Sequence, residues 1–141
     1  MSKEKIYKVT GVSHYVKDIM KLGLENYDFK LSKKDMIDEG LEGRIYEYDF
    51  YPTKIELIPD PNNEHDPNAV KVVVDNVLVG YIKAGSCKHI LNVINGNCIE
   101  KIECIIRGGK YKFLSYDDDT DKYFIEKGDT PLYVDLKILE S

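Results

Sequence analysis

The run Asn62-Asn63-Glu64-His65-Asp66-Pro67-Asn68-Ala69-Val70 passes without a spacer into Lys71-Val72-Val73-Val74, so a dense polar loop is joined directly to a strand with the composition of a core. Pro59, Pro61 and Pro67 each fix a backbone angle and remove an N–H donor. Asn62, Asn63, Asp66 and Asn68 can bond their own backbone and tolerate unusual turn angles. Such a loop is rigid. It serves either as a well-made connection between two strands or as a stiff surface that presents chemistry. The chain then turns back at Asp75-Asn76, a dipeptide suited to a two-residue turn with positive φ, and leaves the hairpin through Gly80-Tyr81-Ile82-Lys83.

The spacing Asn63-x-x-Asp66-x-Asn68-Ala69-Val70, the hairpin after it and the Gly80-Tyr81-Ile82 exit, with Val9-Thr10-Gly11-Val12 far upstream, together resemble the HIRAN domain. That family is a small β-barrel module, fused to fork-remodelling helicases or free-standing in bacteria. The resemblance covers residues 9–15 and 54–107. Residues 16–53 look like an insertion, and 108–139 read as an added hairpin and strand, within a single domain over 1–141. The resemblance implies a receptor for the 3′-hydroxyl end of single-stranded DNA. In it the loop aspartate reads the terminal hydroxyl, the aromatic before it stacks on a base, and the residues after Gly-Val add a second stack and positive charge. The matching positions are Asp66, His65 and the run Ser13-His14-Tyr15. Asn63, Asn68, Tyr81 and Lys83 complete the candidate nucleic-acid site. His65 stands where Tyr is usual, and Ser13 and His14 replace an Arg-Tyr pair, which reduces stacking area and removes a phosphate contact.

The formal net charge of −5 argues against a nucleic-acid partner unless cations cluster locally, because only charges that displace counterions contribute to phosphate binding. Acid is concentrated at 35–42 and 117–121, whereas Lys71, Lys83, Lys88, Lys110 and Lys112 fall in or just after the matched half. Eleven Tyr against four Phe and no Trp suit half-buried strand faces. The three cysteines, Cys87, Cys98 and Cys104, lack CxxC spacing and read as free buried thiols, a pattern that fits a reducing, cytoplasmic setting. No signal peptide or membrane span is visible in the sequence.

Taken in order, residues 6–12 read as a strand, 17–22 as a short helical turn, and Ser32 as the cap of a helix that ends at Gly40. Residues 44–51 alternate strictly, with Tyr46, Tyr48 and Phe50 on one face as core or an oligomer contact. Lys54 to Ile58 feeds the loop. Ser86 is placed to cap a helix running to Ile94, with Ile90, Leu91 and Ile94 inward. Residues 99–107 form the next strand, Gly108-Gly109 a turn, 110–125 a hairpin with an acidic tip, and 133–138 the last strand. The fold class expected is mainly β with two or three short helices, a small barrel of the OB or SH3-like kind.

Three classes of function are open to such a chain. A DNA-binding module, placed in DNA repair or processing, is favoured, and a protein-interaction or oligomerisation module using the tyrosine strand is the alternative. An enzyme is not expected: Glu64, His65 and Asp66 are adjacent and point apart, unlike the ligands of a two-metal nuclease. No cofactor or metal is implied. The acids at the 117–121 tip are consecutive and lack the glycine that a calcium loop requires.

Overall fold

The computed structural model describes residues 2–141. The chain is mainly β, with three short α-helices. In chain order the elements are β1 (Lys3–Thr10), α1 (Val16–Ile19), β2 (Leu24–Glu25), α2 (Lys33–Asp38), β3 (Ile45–Tyr46), β4 (Tyr48–Asp49), β5 (Ile55–Pro59), β6 (Val70–Val74), β7 (Val77–Ile82), α3 (Cys87–Asn95), β8 (Ile99–Asp117) and β9 (Lys122–Glu140). Seven strands follow the hydrogen-bonded order β3-β8-β9-β1-β7-β6-β5, and β2 pairs separately with β4. That order is open, ending on β3 and β5. The chain divides into two compact units. The first holds residues through Leu22, with Phe50–Ile106 and Leu132–Ser141, and the second holds Gly23–Asp49 and Arg107–Pro131.

In the first unit β1 belongs to two ladders. Lys3 to Lys8 pair with Glu140 to Asp135 of β9, and the next two residues change partner, Val9 to Ile82 and Thr10 to Tyr81 of β7. β5, β6 and β7 form an antiparallel meander. Strict alternation in β6 sends Val70, Val72 and Val74 fully inside. With Tyr7, Val9, Val12, Ile19, Val79, Ile82, Ile90, Leu136 and Ile138 they build one core. The hairpin turn is as expected, Asp75 and Asn76 having φ of 47° and 68°. Asp75 also takes hydrogen bonds from Thr53 (N–H and hydroxyl) and from the Lys54 N–H, which tie the entry of β5 to the turn. The Thr53 bond leads in holding its carboxyl below the ordinary value.

Two local expectations for this unit are corrected, and a third is extended. Ser86 does not cap α3, because the chain enters the helix through a 3-10 turn at Ala84–Ser86 that already gives Ser86 helical angles. Ile90 is buried as expected and Leu91 and Ile94 pack half-buried against the core, while Cys87 and Val93 add to the buried face of α3. Of the three cysteines only Cys87 is fully buried.

The second unit departs further. The aromatic alternation at 44–51 is interrupted at Glu47. β3 pairs with β8 and β4 with β2, so Ile45 is buried and Tyr46 and Tyr48 are half-buried, while Phe50 belongs to the first unit and packs half-buried on its core. Gly108 and Gly109 are not a turn. They sit inside β8 with φ of 137° and 87°, angles that a residue with a Cβ resists. Ser32 does cap α2, its hydroxyl accepting the Asp35 N–H at 3.2 Å. Lys112 is buried rather than part of a basic surface: Nζ donates to the Leu31 carbonyl at 2.6 Å and lies over the Phe29 ring.

A buried carboxylate, Glu140, closes the first unit beneath the exposed Lys5 and His89. Glu140 accepts hydrogen bonds from the Tyr7 hydroxyl and His89 Nε2 (3.1 Å), with Lys5 Nζ at 3.6 Å. Burial raises the Glu140 pKa, but the bonds from Tyr7 and His89 and the nearby charges outweigh it and hold the carboxyl below its usual value. Burial foremost, then the bond to Glu140, pushes the Tyr7 phenol far up. A depressed carboxyl pKa stabilises the fold above the unfolded value of about 4.3, and that contribution fades as pH falls through the folded value. Glu140→Gln is therefore expected to cost about 1 to 3 kcal/mol at pH 7 and to flatten the loss of stability between about pH 5 and 3, as read by urea melts.

The change of partner in β1 requires a glycine. The β6–β7 register slips between Val72 and Val73, opposite Gly80, whose φ is 151°. A Cβ there would lie 2.4 Å from the Thr10 carbonyl oxygen and 2.7 Å from Val9 Cγ1. Backbone cannot yield as a side chain can. Gly80→Ala should destabilise by about 2 to 4 kcal/mol, measured as a lowered denaturation midpoint.

Candidate nucleic-acid interface

Gly11, with φ of 75°, ends β1 and starts a 3-10 turn over Val12–His14. Val12 is buried within this turn and Ile19 in α1 behind it, so the two hydrophobes anchor the segment while His14 stays exposed and Tyr15 half-buried. Thr10 opposes Tyr81, and its hydroxyl donates to the Tyr81 carbonyl at 3.3 Å. Tyr81 is thereby held beside the turn.

The polar loop is organised by Asn63. Its side-chain oxygen accepts the N–H groups of His65 (2.9 Å) and Asp66 (3.1 Å), and its amide donates to Asp60. Asp66 Oδ1 in turn accepts the Asn68 N–H at 2.8 Å, and the Ala69 N–H bonds the Asp66 carbonyl. The Asp60 N–H closes the base of the loop on the Ala69 carbonyl. These are the side-chain-to-backbone bonds expected of Asn and Asp in a turn, and they restrict the loop's conformational freedom. Asp66 Oδ2 makes no hydrogen bond among the described residues.

Loop, turn and β7 converge on a cavity of about 480 Å³, a volume suited to a small ligand or one nucleotide. His14, Tyr15, Asn63, His65, Asp66 and Tyr81 all line it. Asn68 and Lys83 lie outside the lining. Thr10, Gly11, Ala69, Ile82, Ala84 and Cys87 line it as well; the first four belong to the motif that carries the resemblance, but the sequence assigns none of the six to the site. Cys87, in the first turn of α3, is the least foreseeable of these, because only the fold brings the helix start to the loop.

The rings here are of two kinds. His14 and Tyr15 meet edge to face, their centroids 6.4 Å apart. Burial, then the neighbouring Tyr81, raises the Tyr15 phenol, while the charge of Lys71 lowers it, which puts a cation near the paired phenols. Lys71 is opposite Tyr81 in the ladder. Burial, and next the Asp66 carboxylate, pushes the Cys87 thiol up, which favours the packed thiol over the thiolate. The cavity therefore offers aromatic and imidazole faces, one carboxylate oxygen with spare acceptor capacity, and a lysine at its edge. Such groups suit stacking and hydrogen-bond acceptance from a hydroxyl.

No helix among the described residues is long and apolar enough to cross a membrane. No protein-family model and no curated protein matches the chain. Among solved structures, it is similar to the crystal structure of the HIRAN domain of human HLTF, at 14% sequence identity and a TM-score of 0.43, over 99% of this chain and 80% of that one.

Proposed function

We propose that the cavity of the first unit binds the 3′-hydroxyl end of single-stranded DNA, as a recognition module and not a catalyst. The observation that carries this reading is convergence: residues 14 and 15, 63 to 66, and 81, far apart in sequence, line one cavity. The residue pattern they belong to resembles an end-binding family. A terminal base would stack against the His65 and Tyr15 rings, and the 3′-hydroxyl would donate to Asp66 Oδ2. Lys71 and Lys83 would meet the adjoining phosphates. With so few cations, salt dependence should be shallow, a log–log slope of about −1 to −2 at about 0.7 per phosphate engaged. A role in DNA repair or processing follows from what free 3′ ends signify.

Asp66 divides its work between two oxygens. Oδ1 holds the Asn68 N–H and so shapes the loop, while Oδ2 keeps its acceptor capacity. An ionised carboxylate attracts a hydroxyl and repels a phosphate. A charge-assisted bond of this kind contributes about 1.5 to 3 kcal/mol, or about tenfold to a hundredfold in affinity.

Short labelled strands ending in 3′-hydroxyl should bind at least about tenfold tighter than 3′-phosphate or circular strands, by fluorescence anisotropy. Asp66→Asn keeps the Oδ1 acceptor and should fold normally but lose that preference. Equal affinity for linear and circular strands would refute end reading. Asn63→Ala removes the acceptor shared by two N–H groups and should both destabilise, by about 1 to 2 kcal/mol, and weaken end binding, with cleavage by protease appearing in the loop.

A further inference from the structure

Of the chain's 20 Lys and Arg residues only two are arginine, Arg44 and Arg107, and both line a second cavity of about 540 Å³ within the second unit. They reach it from different segments, Arg44 from just before β3 and Arg107 from β8. Among the described residues no ion pair involves either one. Arg44 is nevertheless held in place. Its guanidinium lies 4.2 Å from the centroid of the Tyr111 ring, and Tyr111 packs on Tyr46 and Phe113 and over Gly128, where a Cβ would lie 2.3 Å from the phenol oxygen. Hydrogen bonding with Tyr46 raises the guanidinium pKa. The same cavity is lined by three carboxylates, Asp28, Glu42 and Asp49.

That mixture restricts the ligand. Two guanidinium forks match the geometry of a phosphate, which lysines would meet only as point charges. A bare polyanion would be repelled by the carboxylates, of which Asp28 and Glu42 would instead accept hydrogen bonds from hydroxyl or amino groups. The complement is one small molecule with a phosphate at one end and donors at the other. We propose that the cavity of the second unit binds a nucleoside monophosphate, the phosphate held by Arg44 and Arg107 and the sugar hydroxyls or base amino group by Asp28 and Glu42. The volume fits such a ligand. This site shares no lining residue with the loop cavity, and binding there does not depend on how strand ends are read.

The test is titration of the full chain with adenosine, guanosine and cytidine 5′-monophosphates, and with inorganic phosphate and the unphosphorylated nucleosides, by calorimetry and amide NMR. At least one nucleotide should bind saturably, at least tenfold tighter than phosphate or its own nucleoside, and shift amides near residues 26–28, 42–46 and 107. Arg107→Gln, at an exposed position, should weaken binding at least tenfold with an unchanged melting temperature. Arg44→Lys, which keeps charge but loses the fork, should weaken it too. Glu42→Gln should erode the preference for nucleotide over phosphate; because each nucleotide also carries a 3′-hydroxyl that the loop cavity would take, the shifts of amides near residues 26–28, 42–46 and 107 are read in Asp66→Asn as well, where they should persist. No saturable binding at millimolar nucleotide, equal affinity for nucleotide and phosphate, or an Arg107→Gln variant that binds as well as the parent would each overturn the proposal.

Discussion

The first unit depends on the contact between Gly80 and the backbone of Thr10. β1 can serve two ladders only if β7 approaches it closely at Val9 and Thr10, and that approach leaves no room for a Cβ on residue 80. Everything that lines the loop cavity is tied to this junction. Tyr81 follows Gly80 directly, Gly11 and the turn carrying His14 and Tyr15 follow Thr10, and β6, paired to β7, carries the loop at its start. Burial of Val70, Val72, Val74, Val79 and Ile82 supplies the driving force that presses these strands together. The glycine determines that they meet in one register.

A polar loop beside such a core must satisfy its backbone, since each unpaired buried donor costs about 1 to 3 kcal/mol. Here the Asn63 and Asp66 side chains do so locally, and the Asp60 carboxylate holds the Asn63 amide in place. The consequence for function is indirect but strong. A loop whose donors are already bonded loses little freedom when a ligand arrives, so less of the gross interaction is spent on ordering it.

Features set by short-range chemistry were legible in the sequence. The Asp75-Asn76 turn, the Ser32 cap, the acidic hairpin tip and the stiffness of the loop each follow from a few adjacent residues, and each is present. Features set by distant partners were not. Tyr7 and Glu140 are 133 positions apart, and nothing in either neighbourhood announces the other. The 44–51 alternation was read as one strand, yet it is split because its halves find different partners, β8 and β2. Gly108-Gly109 carries the composition of a turn but lies inside β8, where positive φ is tolerated without reversing the chain. Lys112 looked like a surface cation until the Leu31 carbonyl and the Phe29 ring enclosed it. The candidate site was legible in its loop and turn and illegible in its walls, because Ala69, Ile82, Ala84 and Cys87 are ordinary packing residues until three elements meet.

The distribution of cations separates the chemistry of the two units. Near the loop cavity the available cations are lysines, strongly hydrated point charges on flexible stems, which attract phosphate without dictating its orientation. Orientation there has to come from stacking and from the Asp66 carboxylate, and selection by a carboxylate works through exclusion as much as attraction. In the second unit the reverse holds. The guanidinium of Arg44 is stacked on Tyr111 and can hold an anion in one plane, while the carboxylates around it raise the cost of any anion that brings no donors. A net charge of −5 would be no obstacle to either proposed site, since each places a cation and a carboxylate near one cavity. An excess of acid outside the two cavities would sharpen that discrimination by discouraging nonspecific contact with long nucleic acid, leaving only ligands that present an end, or a single phosphate with donors beside it, to gain a net advantage from binding.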